Sequence, residues 1–133
     1  MNYLFRKLKW RHGLSEAQLC LLQRARDAVD AWVEQKGFTK PIVSLEGLAS
    51  DIGIPADQLN IYIRLLARKS VLAWRKSLRI REACRLLLDY PDIPISVVGE
   101  MVGIDDKSNF KRQFEQIVGM QPRVWRDKHL RRT

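Results

Sequence analysis

Two stretches of this chain align without a gap at an offset of 50 residues. The first is Ser44-Leu45-Glu46-Gly47-Leu48-Ala49-Ser50-Asp51-Ile52-Gly53-Ile54. The second is Pro94-Ile95-Ser96-Val97-Val98-Gly99-Glu100-Met101-Val102-Gly103-Ile104. In each, apolar residues take the second, fifth, ninth and eleventh positions, which form one face of a short helix. A tiny residue, Ala49 or Gly99, holds the sixth place and lets another helix cross closely. Glycine holds the tenth, where a helix ends with positive φ that a Cβ would oppose. Polar residues then start a second helix: Asp57 and Gln58 in one copy, Lys107 to Asn109 in the other. Its inner side is Leu59 and Ile63, or Phe110 and Phe114, each pair spaced i, i+4. Helix, glycine turn, helix is the helix-turn-helix layout, present twice. The copies then diverge: the turn glycine precedes the first inner residue by six positions in one (Gly53 to Leu59) and seven in the other (Gly103 to Phe110).

The rest of the chain also reads as helix. Ser15 and Gln18 form a capping box that opens a helix over about 15–36. Leu19, Leu22, Val29, Trp32 and Val33 are its stripe, and Gly37 is placed as its stop. This helix packs on the first unit or mediates dimerisation, and packing is favoured. A third element, about 70–90, carries Leu72, Trp74, Leu78, Ala83, Leu86 and Leu87 until Pro91 and Pro94 end it. A helix of that length spans roughly 30 Å. Major-groove faces on one side of a DNA duplex repeat every ~34 Å. No segment alternates as a strand does, so the expected fold is all-α. It has two helix-turn-helix subdomains (about 44–66 and 95–117), a long linker helix (about 70–90) and an extra N-terminal helix. A soft boundary falls between 1–41 and 42–133.

Charge narrows the function. The 133 residues include 24 lysines and arginines against 15 acids, a formal net charge of +9, and the pI is near 10.0. A polyanion is the first partner to consider, a membrane surface the second. No apolar run reaches the ~20 residues of a membrane span, and no signal peptide is visible, so a soluble cytoplasmic protein is expected. Cys20 and Cys84 lie far apart and read as reduced thiols. With His12 and His129 at opposite ends, no metal-ligand spacing exists. No Ser/His/Asp or Cys/His set and no phosphate-cradling loop appear, so neither an enzyme nor a cofactor is expected. A helical protein adaptor and an RNA binder are the competing classes. RNA modules offer aromatic platforms on a sheet or a GXXG loop, and neither is seen.

Residues 42–126 resemble the DNA-binding domain of the AraC/XylS family of bacterial transcription regulators. The second unit and its tail carry the resemblance most specifically: Ile95 to Ile104, then Ser108-Asn109-Phe110-Lys111-Arg112-Gln113-Phe114, Gly119-Met120-Gln121-Pro122 and Trp125-Arg126. Leu78 to Leu87 also looks like the family's linker helix. The resemblance implies a bilobal fold of about seven helices. Each unit's second helix would enter one of two successive major grooves of double-stranded DNA. The groove-facing residues implied are Gln58, Asn60, Ile61 and Arg64 in the first unit, and Lys107, Ser108, Asn109, Lys111 and Arg112 in the second. RNA polymerase, a separate sensor domain and a homodimer partner are implied as further partners. Three departures stand out. Arg68 replaces a usual glycine, Ile104 a usual aromatic, and Gly99 a usual alanine.

Residue chemistry adds detail. Arginine pairs with guanine and asparagine with adenine, so Arg112 and Asn109 are the leading base readers. Arg75 and Lys76 are placed on phosphates, and Ser96 as a helix cap beside a phosphate. Arg79 and Glu82, i, i+3, read as a structural pair. Trp74, Phe110, Phe114 and Trp125 read as core. The first unit's second helix, with Asp57 and Ile61, is poorer in base-reading groups, so the second unit is expected to be the main reader.

Overall fold

A computed structural model describes residues 13–131. The basic, aromatic start of the chain, with Trp10 and His12, lies outside the described residues. The described residues form seven α-helices and one short 3-10 turn: α1 (Glu16–Glu34), the turn Gly37–Thr39, α2 (Leu45–Ile52), α3 (Ala56–Ala67), α4 (Val71–Asp89), α5 (Ile95–Met101), α6 (Lys107–Val118) and α7 (Pro122–Leu130). No strand occurs among the described residues. The chain packs as two compact units. One holds residues 13–37 and 42–74, the other 38–41 and 75–131. The units therefore do not divide at 41/42: α1 belongs with the first helix-turn-helix, and only the first turn of α4 does.

In the first unit, Ser15 caps α1 and Gln18 completes the box, with Ser15 N donating to Gln18 Oε1 at 2.8 Å and Gln18 N donating to Ser15 Oγ at 3.1 Å. α1 buries Leu19, Leu22, Ala25, Val29 and Trp32. Those residues meet Leu48 and Ala49 of α2 and Leu59, Tyr62 and Ile63 of α3 in one core. The Trp32 indole N–H donates to Asp51 Oδ2 at 2.8 Å, and its ring stacks on Trp74 at 5.9 Å. Burial, with Asp30 second, pushes the Tyr62 hydroxyl up to about 12. The expected stop of α1 needs correction. Gln35 is the cap and Lys36 takes the positive φ of 59°. Gly37 is needed for space instead, since a Cβ there would lie 2.2 Å from Trp32 Nε1.

In the second unit, Ile80, Ala83, Leu86 and Leu87 of α4 pack with Val98, Val102 and Ile104 around Phe110 and Phe114 of α6. Phe114 meets Phe110 and Trp125 edge-to-face at 5.9 and 6.0 Å. The tiny residue of the repeat acts as expected: a Cβ on Gly99 would stand 2.9 Å from Phe110 Cγ. The stripe expected on α4 shifts slightly. Val71 and Ile80 are buried, and Leu72 faces out. Two arginines are held inside by backbone carbonyls. Arg79 donates to Phe38 O (2.6 Å) and Lys40 O (2.7 Å). Arg126 donates to Leu87 O (3.0 Å), Ile93 O (2.8 Å) and Tyr90 O (3.2 Å). Such bonds satisfy carbonyls left open where a helix ends.

Candidate nucleic-acid interface

Each unit presents the outer face of its second helix. In the second unit, Asp106 caps α6 by accepting from Asn109 N at 2.7 Å, and Gly119 ends it with φ 91°. Phe110 and Phe114 fix the inner side, so Lys107, Ser108, Lys111 and Arg112 point out and are exposed. Asn109 is half-buried. Its Oδ1 accepts from Arg112 Nη2 at 2.6 Å and from Gln113 Nε2 at 3.1 Å. The guanidinium that sequence reasoning aims at guanine is thus held in place by its neighbour. Asn109 must release one of these bonds before it can bind adenine through both amide atoms. Lys107 and Lys111 also line a shallow recess of about 210 Å³ with Ile95, Ser96 and Phe110.

In the first unit, Leu59, Tyr62 and Ile63 turn inward on α3, and Ile61 and Arg64 turn out. Arg64 Nε donates to Asn60 Oδ1 at 3.3 Å. Gln58 and Asn60 are half-buried. Gln58 and Ile61 share an apolar recess of about 110 Å³ with Leu14, Gln18, Leu21 and Leu22, so this face is flanked by α1. Arg68 caps α3 with φ 55°, so it adopts the left-handed shape of the glycine it replaces. That shape costs an L-residue roughly 1–2 kcal/mol.

Charge separates the two units. Residues 13–37 and 42–74 hold six lysines and arginines against seven acids. Residues 38–41 and 75–131 hold thirteen against eight. Attraction to a polyanion from the described residues therefore comes from the second unit.

Three placements from the sequence are corrected. Arg75 is buried, 8% exposed, and burial lowers its pKa. Its side chain lies on the inner side of α4 and is not offered to a phosphate. Arg79 does not pair with Glu82. Its partners are the two carbonyls above, and burial first, then Arg75, lowers its pKa to about 10, which leaves it charged at neutral pH. Glu82 instead accepts from Arg85, which also reaches Asp89 at 2.7 Å. Ser96 is no cap: Pro94 holds that position, no side chain caps α5, and Ser96 is the second residue of its first turn. Lys76 stays exposed on α4, together with Arg81. The buried arginines were missed although their register was available. Arg75, Arg79, Ala83 and Leu86 lie at helical spacing on one face, as do Pro122 and Arg126.

No helix among the described residues is long and apolar enough to cross a membrane. None of their His, Cys, Asp and Glu side chains form a group of three or more able to hold a metal ion.

A family model described as a helix-turn-helix domain matches residues 48–128. No curated protein matches significantly. Among solved structures, the C-terminal domain of AraT, a response regulator from Geobacillus stearothermophilus, is similar at 26% identity and a TM-score of 0.66, covering 81% of this chain and 84% of that one. The C-terminal domain of the two-component response regulator yesN from Fusobacterium nucleatum is similar at 19% identity and a TM-score of 0.65, covering 77% and 98%. The DNA-binding domain of AdpA, a global transcriptional factor, in complex with a target DNA, is similar at 20% identity and a TM-score of 0.67, covering 81% and 94%. With its repeated helix, glycine turn and helix, the chain belongs to the AraC-type helix-turn-helix family of DNA-binding transcription regulators.

Proposed function

We propose that this chain is a sequence-specific regulator that reads two successive major grooves of duplex DNA, with the second unit as main reader. The observation that carries this reading is the outer face of α6. There Lys107, Ser108, Lys111 and Arg112 are exposed over a rigid Phe110–Phe114 base, in the unit with the cationic surplus. Arg112 reads a guanine through its two outer nitrogens. Asn109 orients that guanidinium and contacts the adjacent base when released. Lys107, Lys111 and Ser108 hold phosphates, as does Lys76. Ser96 borders the same recess as both α6 lysines and adds a hydroxyl donor. In the first unit, Gln58, Asn60, Ile61 and Arg64 face the other groove, where the near-neutral surface contributes fit more than attraction.

The work is binding, with no catalytic step. A chain acting on chromosomal DNA operates in the bacterial cytoplasm, with RNA polymerase as the partner that converts binding into transcription. The likeness to the C-terminal domains of two response regulators supports the reading of this chain as the output end of a larger sensor protein, with a sensor domain or a second copy as its controlling partner.

The test is an anisotropy titration with labelled duplex DNA across salt concentrations. Log affinity should fall linearly with log salt, with a slope of about −0.9 per phosphate neutralised, and different duplexes should differ in affinity. No duplex binding at low salt refutes the reading. Binding without preference reduces it to a general polyanion binder.

A further inference from the structure

The inner residues set a common register for the two second helices. Leu59 and Ile63 of α3 do what Phe110 and Phe114 do in α6: each pair is fully buried at i, i+4. Superposing these pairs brings Asp57 onto Ser108, Asn60 onto Lys111, Ile61 onto Arg112 and Arg64 onto Glu115. The position that presents a guanidinium in the second unit therefore presents an isoleucine in the first. Ile61 is 51% exposed, two positions from the fully buried Leu59 and Ile63. Beside it, Asn60 Oδ1 is engaged by Arg64. The wall next to Ile61, formed by Leu14, Leu21 and Leu22, is apolar as well. The Ile61 side chain itself offers nothing to the acceptors of guanine. It fits the one apolar group a base pair shows in the major groove, the 5-methyl of thymine.

We propose that Ile61 is a specificity-determining residue that reads a thymine methyl, so that the two units select opposite base pairs at equivalent positions, A·T in the first and G·C in the second. This rests on the major-groove reading above. It makes the first unit a reader in its own right, through contact that adds nothing to the salt dependence.

The chain itself serves for the test. A duplex is first enriched from a randomised pool by the full chain. Each thymine of that duplex is then replaced singly by deoxyuridine, which removes only the methyl. One replacement should weaken binding about four-fold, the weight of one buried methyl. With Ile61→Ala that replacement should make no difference, and with Arg112→Ala it should still cost about four-fold. Ile61→Arg, enriched afresh, should exchange A·T for G·C at that position. Ile61 is exposed and alanine favours helix, so Ile61→Ala should fold. If no thymine shows this coupling to Ile61, the inference is overturned while the groove reading stands. If the pool yields no enriched duplex at all, both fall.

Discussion

Gly53 and Gly103 occupy the same place in the repeat, with φ of 95° and 90°, yet alanine should cost very different amounts at the two. The conformational part is shared. A left-handed L-residue costs roughly 1–2 kcal/mol. At Gly53 a Cβ would find nothing within 4 Å, so that is the whole cost. At Gly103 it would stand 2.3 Å from Thr39 O and 3.0 Å from the carbonyl carbon. Both are backbone atoms, so the segment holding Thr39 must move by about 1 Å to restore ordinary contact. Phe38 and Lys40, on either side of Thr39, supply the carbonyls that bind Arg79. Hydrogen bonds to a charged group are worth about 1.5–3 kcal/mol each. Losing part of this pair takes the total for Gly103→Ala to about 3–5 kcal/mol. The assay is urea unfolding followed by circular dichroism, read at the midpoint of the transition each substitution moves. With a urea slope of about 2 kcal/mol per molar, the midpoint should drop by about 2 M for Gly103→Ala and by less than about 1 M for Gly53→Ala. Equal shifts would refute the claim that the second turn glycine is held by close backbone contact.

Two further substitutions probe the same packing. Arg126→Met removes three hydrogen bonds to carbonyls at and beyond the end of α4, and should cost about 3–5 kcal/mol in urea unfolding. Arg126→Lys should recover part of that, since an ammonium cannot match the planar fork. Arg68→Gly should raise stability by about 0.5–1 kcal/mol in thermal unfolding, relief of the left-handed strain outweighing glycine's extra chain entropy.

The features legible in the sequence are those set by local chemistry. The capping box of Ser15 and Gln18, the turn glycines Gly53 and Gly103 with their positive φ, and the i, i+4 inner pairs of α3 and α6 all involve residues within one or two turns of each other. The outer face of α6 was implied by the family resemblance, and the helical register of Phe110 and Phe114 agrees with it. The fates of Arg75, Arg79 and Arg126 did not. A basic residue in a basic stretch reads as surface, because burying its charge is costly unless partners are present. For Arg79 and Arg126 those partners are carbonyls 33 to 41 residues away in the chain. Tyr62 was missed for a related reason: it sits between Leu59 and Ile63 in sequence, and it is buried in the unit where α3 packs against α1, near Asp30, Arg26 and Asp27. Arg68 shows the reverse case, where a residue other than the glycine usual at that place takes a left-handed backbone shape at some cost.

The central claim is that two similar helices read DNA unequally, with α6 dominant through Arg112. Its most direct test is enrichment from a randomised duplex pool by the unaltered chain and by Arg112→Ala, with affinities measured on the winning duplex. The claim predicts that Arg112→Ala loses about 1–3 kcal/mol on that duplex and relaxes the choice at one guanine, leaving the other half of the motif intact. An unchanged motif with Arg112→Ala, or a loss spread evenly over all duplexes, would contradict it and reduce Arg112 to a phosphate contact.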